Sequence, residues 1–136
     1  MKTRLFEVAS EDRRRILERL TDELRRAHGV VFAYVHGSFL AGGPFHDIDV
    51  AVYLAAPDKA SQALDLAGRL SQVTGYPIDV RVLNEAPVPF QFKALQGTLL
   101  VSRDDRQLAD FIERVGPRYL DIAPILRRAA REAFVR

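Results

Sequence analysis

Two aspartates spaced two residues apart open an apolar run in this sequence. Asp47 and Asp49 stand at the start of Ile48–Leu54, a segment whose β-branched residues predict a strand. Residues two apart in a strand share a face, with Cα atoms roughly 6.5–7 Å apart. Neighbouring carboxylates stay ionised only beside compensating cations, and Mg²⁺ prefers oxygen ligands. The pair therefore predicts a metal site, and two metal ions about 3.5–4 Å apart suit phosphoryl or nucleotidyl transfer.

A Gly-Ser pair precedes these aspartates and follows an apolar run at 30–35 that predicts another strand. Gly37 lets the backbone approach a ligand closely. Ser38 is suited to cap a short helical turn over 39–41, whose free N–H groups would face an anion. A lone Gly-Ser or a lone DxD is usually structural. The order strand, Gly-Ser, loop, DxD, strand is more specific, and it predicts a phosphate-holding turn beside a metal-holding carboxylate pair.

A third carboxylate lies on the next predicted strand, 78–83. Because side chains alternate along a strand, Asp79 and Arg81 share one face and Ile78 and Val80 share the other. Nucleotidyl transfer needs a group near the attacking hydroxyl, either to bind a second metal ion or to accept a proton. Asp79 is the candidate, and the alternative is a strand-end aspartate that faces solvent. Arg81 is a weaker candidate, which either neutralises phosphate or pairs with an acid.

The sequence GSFLAGGPFHDIDV at 37–50 resembles the signature of the DNA polymerase beta-type nucleotidyltransferase superfamily. The short chain is similar to the minimal branch of that superfamily, the MNT proteins, and its C-terminal half is similar to MNT proteins of the antitoxin type. Two features depart from the usual pattern. The loop between the serine and the first aspartate has eight residues, 39–46, which is shorter than usual, and His46 stands where a small polar residue is common.

This resemblance implies a Mg²⁺-dependent nucleotidyltransferase that moves AMP from ATP to a hydroxyl and releases pyrophosphate. It assigns Asp47 and Asp49 to two Mg²⁺ ions, and it assigns Gly37 and Ser38 to the triphosphate. It gives Asp79 the role of completing one metal site and activating the acceptor hydroxyl. The metal ions neutralise charge on the phosphorus oxygens and the leaving group in such a reaction.

The resemblance also implies an antitoxin role, because MNT proteins pair with a HEPN-domain ribonuclease toxin and some adenylylate a tyrosine of it. The implied partners are a nucleoside triphosphate and a HEPN toxin. Whether the chain also forms a homo-oligomer is left open at this point. A second hypothesis is a binding antitoxin that neutralises its partner by occlusion, which the short loop 39–46 motivates. A third is a small-molecule-modifying nucleotidyltransferase, which would need a dimer or a partner chain to build its acceptor pocket.

Composition narrows the class of protein. The chain has 136 residues, of which 48% are hydrophobic, and a net charge of +2, so we expect one globular domain spanning 1–136. It has no cysteine, which excludes a disulfide framework and a Cys-based zinc site. The N-terminus lacks the apolar run of a signal peptide, and no stretch approaches the ~20 apolar residues that span a bilayer. We therefore expect a cytoplasmic protein without membrane contact.

Periodicity and breakers predict the remaining elements. Helices are predicted over 10–28, 57–73, 90–96, 104–115 and 118–135, and strands over 30–35, 48–54, 78–83 and 98–102. The Gly116-Pro117 pair is expected to separate the last two helices. Arginines and acids interleave along 10–28, which favours a solvated face over direct nucleic-acid binding. The order of elements predicts an α/β (α+β) fold, a mixed sheet of about four strands with helices packed against it and the site at one sheet edge.

Overall fold

The computed structural model of the chain describes residues 4–55 and 57–134. Four strands form one sheet in the order β3-β2-β1-β4. Strand β2 pairs in parallel with β3 and antiparallel with β1, and β4 pairs antiparallel with β1. The sheet is therefore mixed, as the sequence predicts. The strands are β1 (Val30–His36), β2 (Ile48–Leu54), β3 (Ile78–Val82) and β4 (Thr98–Ser102).

Helices cover both faces of this sheet. They are α1 (Ser10–Arg26), α2 (Ser38–Ala41), α3 (Lys59–Thr74), α4 (Val88–Leu95) and α5 (Asp105–Phe134). On one face, Leu20 of α1 and Leu70 of α3 pack with Val50 of β2. On the other face, Phe111 of α5 packs on Phe32 of β1, with ring centroids 5.4 Å apart. Strand β1 is consequently buried along its whole length, which explains its nearly continuous apolar run.

The C-terminal helix differs from the prediction. Helix α5 runs without a break from Asp105 to Phe134 and contains both Pro117 and Pro124, so the expected interruption at 116–117 is wrong. A proline inside a helix costs about 3 kcal/mol. Packing on both sides of Pro117 offsets that cost, because Val115 is fully buried and Tyr119 stacks on Phe92 with ring centroids 3.8 Å apart. The predicted helix end at 135 lies outside the described residues.

Within residues 4–55 and 57–134, no helix combines the length and the apolar character that crossing a bilayer requires.

Candidate active site

Two neighbouring strands bring the three predicted carboxylates together. Asp47 immediately precedes β2, Asp49 lies within β2, and Asp79 of β3 is the direct partner of Asp49 in the parallel ladder. Oxygen atoms of the three carboxylates lie within 4.8 Å of one another, and all three residues are half-buried. This edge of the sheet thus gathers three negative charges in a small volume.

The donor set fits a hard divalent cation. Three carboxylates this close repel one another unless a positive charge compensates them. Carboxylate oxygens are the protein ligands that Mg²⁺ prefers, and Mg²⁺ usually keeps several of its waters as further ligands. Asp47, Asp49 and Asp79 are therefore able to hold Mg²⁺ and leave positions for other oxygen ligands.

Gly37 connects the turn to the carboxylates. It has φ +84° and ψ −163°, a backbone conformation that side chains disfavour strongly. A Cβ atom at this position would collide with Oδ2 of Asp49. Glycine is therefore required at this position for two reasons. Its backbone conformation disfavours any side chain, and the Asp49 carboxylate occupies the space that a Cβ would need.

Ser38 does not cap the short helix. The N-cap of α2 is Gly37, and Ser38 is the first helical residue, with no side-chain capping hydrogen bond at this end. The capping prediction is wrong because Gly37 takes the non-helical conformation that an N-cap needs, which moves the helix start forward by one residue. Ser38 is exposed. The first N–H groups of a helix lack intrahelical partners, so the turn still offers donors beside the carboxylates.

Arg13 of α1 holds the other end of this turn. Its guanidinium donates hydrogen bonds to the carbonyl oxygens of Phe39, Gly42 (2.7 Å) and Gly43 (3.1 Å). It also lies over the rings of Phe39 and Phe45, 5.3 and 5.9 Å from their centroids. The prediction of a merely solvated basic face is therefore wrong at Arg13. The sequence carries no local signal for this role, since the bonded carbonyls lie at least 26 positions away.

The N-terminal segment supports the same loop. Phe6 and Phe45 form an isolated antiparallel bridge, with N–H to carbonyl distances of 2.8 and 3.1 Å. The Phe45 ring contacts those of Phe6, Phe39 and Tyr76, with centroids 5.0–5.7 Å apart. The loop that enters β2 is thus fixed by aromatic packing.

Arg81 pairs with the third carboxylate. Its Nε donates to Oδ2 of Asp79 at 3.3 Å, and its guanidinium lies 5.4 Å from the ring centroid of Phe90. The sequence left two alternatives for Arg81, neutralising phosphate or pairing with an acid, and in the structure Arg81 pairs with an acid. Because its side chain is 61% exposed, the interaction is screened by solvent. It supplies part of the positive charge that the carboxylate cluster needs.

His36 lies beside the carboxylates, and the sequence prediction missed it. Strand β1 continues one residue beyond the predicted end at 35, and this last residue is the direct partner of Asp49. Its ring is buried and packs edge-on against Phe90, with centroids 5.6 Å apart. Burial lowers the pKa of His36, the cations of Lys93 and Arg81 lower it further, and only Asp79 raises it. Strand alternation from Tyr34 is the signal that would have found it.

Comparison with protein families identifies the class. The family described as "Polymerase beta, Nucleotidyltransferase" matches residues 18–106, a range that contains the Gly-Ser turn and all three carboxylates. The chain belongs to this nucleotidyltransferase family. Comparison with the curated proteins gives no match.

Solved structures of toxin–antitoxin complexes share the fold. A chain from the complex of a tri-AMPylated Shewanella oneidensis HEPN toxin with MNT antitoxin superposes with a TM-score of 0.69 at 16% identity, covering 90% of this chain and 99% of that one. A chain from a toxin–antitoxin structure with AMP-PNP gives 0.64 at 19% identity, covering 84% and 98%. A chain from the MntA-HepT toxin–antitoxin structure gives 0.63 at 16% identity, covering 93% and 100%. At these identities the similarity establishes the fold.

Proposed function

We propose that this protein is a Mg²⁺-dependent nucleotidyltransferase that transfers AMP from ATP to a hydroxyl group of a partner protein. The observation that carries the proposal is the cluster of three carboxylates within 4.8 Å, next to the turn that begins at Gly37. Family membership supports the class of reaction. The fold shared with a complex that binds AMP-PNP supports an adenine nucleotide as the donor.

The carboxylates have distinct roles in this reaction. Asp47 and Asp49 would hold Mg²⁺, and Asp79 would complete one metal site and help to activate the acceptor hydroxyl. When bound, the metal would supply charge neutralisation on the phosphate oxygens and on the pyrophosphate leaving group. The turn at Gly37 and Ser38 holds the triphosphate through backbone N–H groups, because the missing side chain of Gly37 leaves room for close approach.

The chemical step is a substitution at the α-phosphorus of ATP. The acceptor oxygen forms a bond to that phosphorus, the bond to the bridging oxygen of the β-phosphate breaks, and pyrophosphate leaves. The acceptor hydroxyl loses its proton, for which the Asp79 carboxylate is the candidate base. Arg81 pairs with Asp79 in the structure, so this ion pair would have to open for Asp79 to serve as a metal ligand.

We assign the acceptor hydroxyl to a HEPN-domain toxin, so that the protein acts as an antitoxin. The shared fold with a chain from the complex of an AMPylated HEPN toxin and MNT antitoxin supports this partner. Transfer of AMP would add charge and bulk at a functional hydroxyl of the toxin and would thereby inactivate the toxin. On this proposal a single domain, 1–136, carries the whole activity and works in the cytoplasm, where ATP is available.

Calorimetric titration of ATP tests the nucleotide site. We expect binding that requires Mg²⁺ and is lost in Asp47→Asn, which removes one negative charge and keeps the shape of the side chain. Asp110→Asn, an exposed position on α5, is the matched control and should bind as the wild type does. Equal binding by Asp47→Asn and the wild type would contradict the proposed metal site.

Co-expression with the toxin separates chemistry from occlusion. On our proposal, Asp47→Asn still associates with the toxin but no longer protects the cells, and the toxin carries no AMP when analysed by mass spectrometry. A mutant that still protects the cells would instead favour the binding antitoxin that acts by occlusion, the alternative motivated by the short loop.

A further inference from the structure

We propose that His36 is a further binding residue of this site, whose imidazole forms a hydrogen bond to an oxygen atom held by the metal–nucleotide complex. That oxygen belongs either to a phosphate of the nucleotide or to a water molecule on the metal. The inference rests on the proposed function and deepens it. It adds a residue that lies just outside the Gly-Ser and DxD motifs.

The strand register places His36 beside the carboxylates. It is the direct partner of Asp49, which in turn is the direct partner of Asp79, so the three residues form one row across β1, β2 and β3. Side chains of directly paired residues project from the same face of a sheet. His36 is not part of the group whose ligand atoms lie within 4.8 Å of one another. It therefore lies next to the metal site and is not one of its direct ligands.

The imidazole is buried without a hydrogen bond. His36 is 6% exposed, and neither Nδ1 nor Nε2 has a hydrogen-bond partner within the part of the chain that the structure describes. Buried polar groups in proteins are almost always hydrogen-bonded, and one that is not indicates a missing ligand or water. An imidazole left in this state beside a nucleotide site is consistent with a partner that arrives with the substrate.

Two neighbours pack against His36 without offering its ring nitrogens a hydrogen bond. Phe90 packs edge-on against the ring. At the backbone, Gly97 is so close that a Cβ there would lie 2.9 Å from Cβ of His36. The charged groups near the ring are Asp79, Arg81 and Lys93, of which Asp79 belongs to the carboxylate cluster.

The two ring nitrogens of His36 suit either oxygen partner. A neutral imidazole has one N–H donor and one acceptor nitrogen. The donor can meet a phosphate oxygen, and the acceptor can meet a hydrogen of a metal-bound water.

His36→Phe tests the role because phenylalanine keeps a planar ring against Phe90 and removes both nitrogens. We expect about tenfold weaker binding of Mg²⁺ and AMP-PNP by calorimetry, the change that corresponds to the loss of one hydrogen bond to a charged ligand. His28→Phe is the matched control, because His28 is exposed in the turn after α1, and it should bind as the wild type does.

The wild-type protein provides a readout that does not depend on how the variant folds. The chain has three histidines, so ¹⁵N-histidine labelling gives few side-chain signals, and the His28 and His46 variants assign them. We expect the ring nitrogens of His36 to shift on ligand binding. A shift with Mg²⁺ alone identifies a metal-bound water, and a shift only with Mg²⁺ and AMP-PNP identifies a phosphate oxygen.

The outcomes distinguish this inference from the proposed function. Normal binding of Mg²⁺ and AMP-PNP without any change in the His36 signals would overturn the role of His36 and leave the nucleotidyltransferase in place. Absence of nucleotide binding by the wild-type protein would overturn both.

Discussion

The backbone of Gly37 and the carboxylate of Asp49 compete for the same small volume. A side chain at position 37 would displace the Asp49 carboxylate from its place beside Asp47 and Asp79, since its Cβ would meet Oδ2 of Asp49. The Gly-Ser motif and the DxD motif are therefore one spatial unit, although eight residues separate the serine from the first aspartate. A change in the turn should alter the metal site directly.

Gly37→Ala is the corresponding substitution at the scale of one residue. We expect it to lower the free energy of unfolding by about 1–3 kcal/mol, the usual cost of a side chain in a glycine-only backbone conformation. It should also abolish Mg²⁺-dependent nucleotide binding, because Asp49 must move away from the new methyl group. Urea unfolding and calorimetry measure the two effects.

Gly68→Ala is the control for this substitution. Gly68 lies within α3, and nothing lies within 4 Å of a Cβ added there, so alanine should leave the stability equal or slightly higher. Unchanged stability in Gly37→Ala would mean that the turn adapts without strain, and the spatial coupling of the two motifs would be wrong.

The elements around the site show what local sequence patterns encode and what they do not. Strands β2 and β4 have the predicted bounds, because β-branched runs and flanking breakers are local signals. The break expected at Pro117 is absent, because packing by α5 outweighs the local cost of proline. Arg13 was missed because the carbonyls that it binds lie at least 26 positions away in the chain. His36 was missed because β1 extends one residue beyond its predicted end, which strand alternation could have indicated.

Arg13 gives a prediction at the scale of elements, because it joins α1 to the loop after α2. Arg13→Met keeps the aliphatic stem and removes the three hydrogen bonds to backbone carbonyls. We expect a loss of about 1–3 kcal/mol in unfolding free energy, since hydrogen bonds from a charged donor are among the stronger ones. Nucleotide affinity should also fall, because the turn that offers N–H groups is then held less firmly.

Arg14→Met serves as the neighbouring control. Arg14 is exposed on the same helix, so its replacement should change the unfolding free energy by less than about 0.5 kcal/mol. Chemical denaturation of both variants and calorimetry with AMP-PNP would decide the matter. If the two variants have the same unfolding free energy and the same AMP-PNP affinity, the proposed role of Arg13 is wrong, and Arg13 belongs to the solvated face that its sequence pattern predicts.

In the molecule as a whole, helices cover both faces of one sheet, and the three carboxylates of the candidate site lie together at one edge of that sheet. The order of the motifs was enough to predict the mixed sheet and to select the three carboxylates that the structure brings together. The roles given to those carboxylates stay predictions. The second half of the long C-terminal helix α5 exposes large apolar residues. Among the described residues these include Leu120 and Ile125, at 71% and 67% exposure.

Metal binding should be visible in the stability of the whole molecule. Three carboxylates within 4.8 Å repel one another, so a cation that binds them favours the folded chain, where they are close, over the unfolded chain, where they are apart. A ligand at 100 times its dissociation constant stabilises the native state by about 2.7 kcal/mol. We therefore expect saturating Mg²⁺ to raise the Tm by several degrees, measured by thermal unfolding against KCl of equal ionic strength.

The same measurement on Asp49→Asn separates site binding from general screening. Asp49 pairs directly with Asp79 in the parallel ladder and follows Asp47 by two residues, so it neighbours both of the other carboxylates. Its neutralisation therefore removes a ligand next to each of them. The Mg²⁺-dependent rise in Tm should disappear in this variant, whereas the exposed Asp110→Asn should keep it. If KCl raises the Tm as much as Mg²⁺ does, or if Asp49→Asn responds like the wild type, the carboxylates act only through their summed charge, and the edge of the sheet holds no specific metal site.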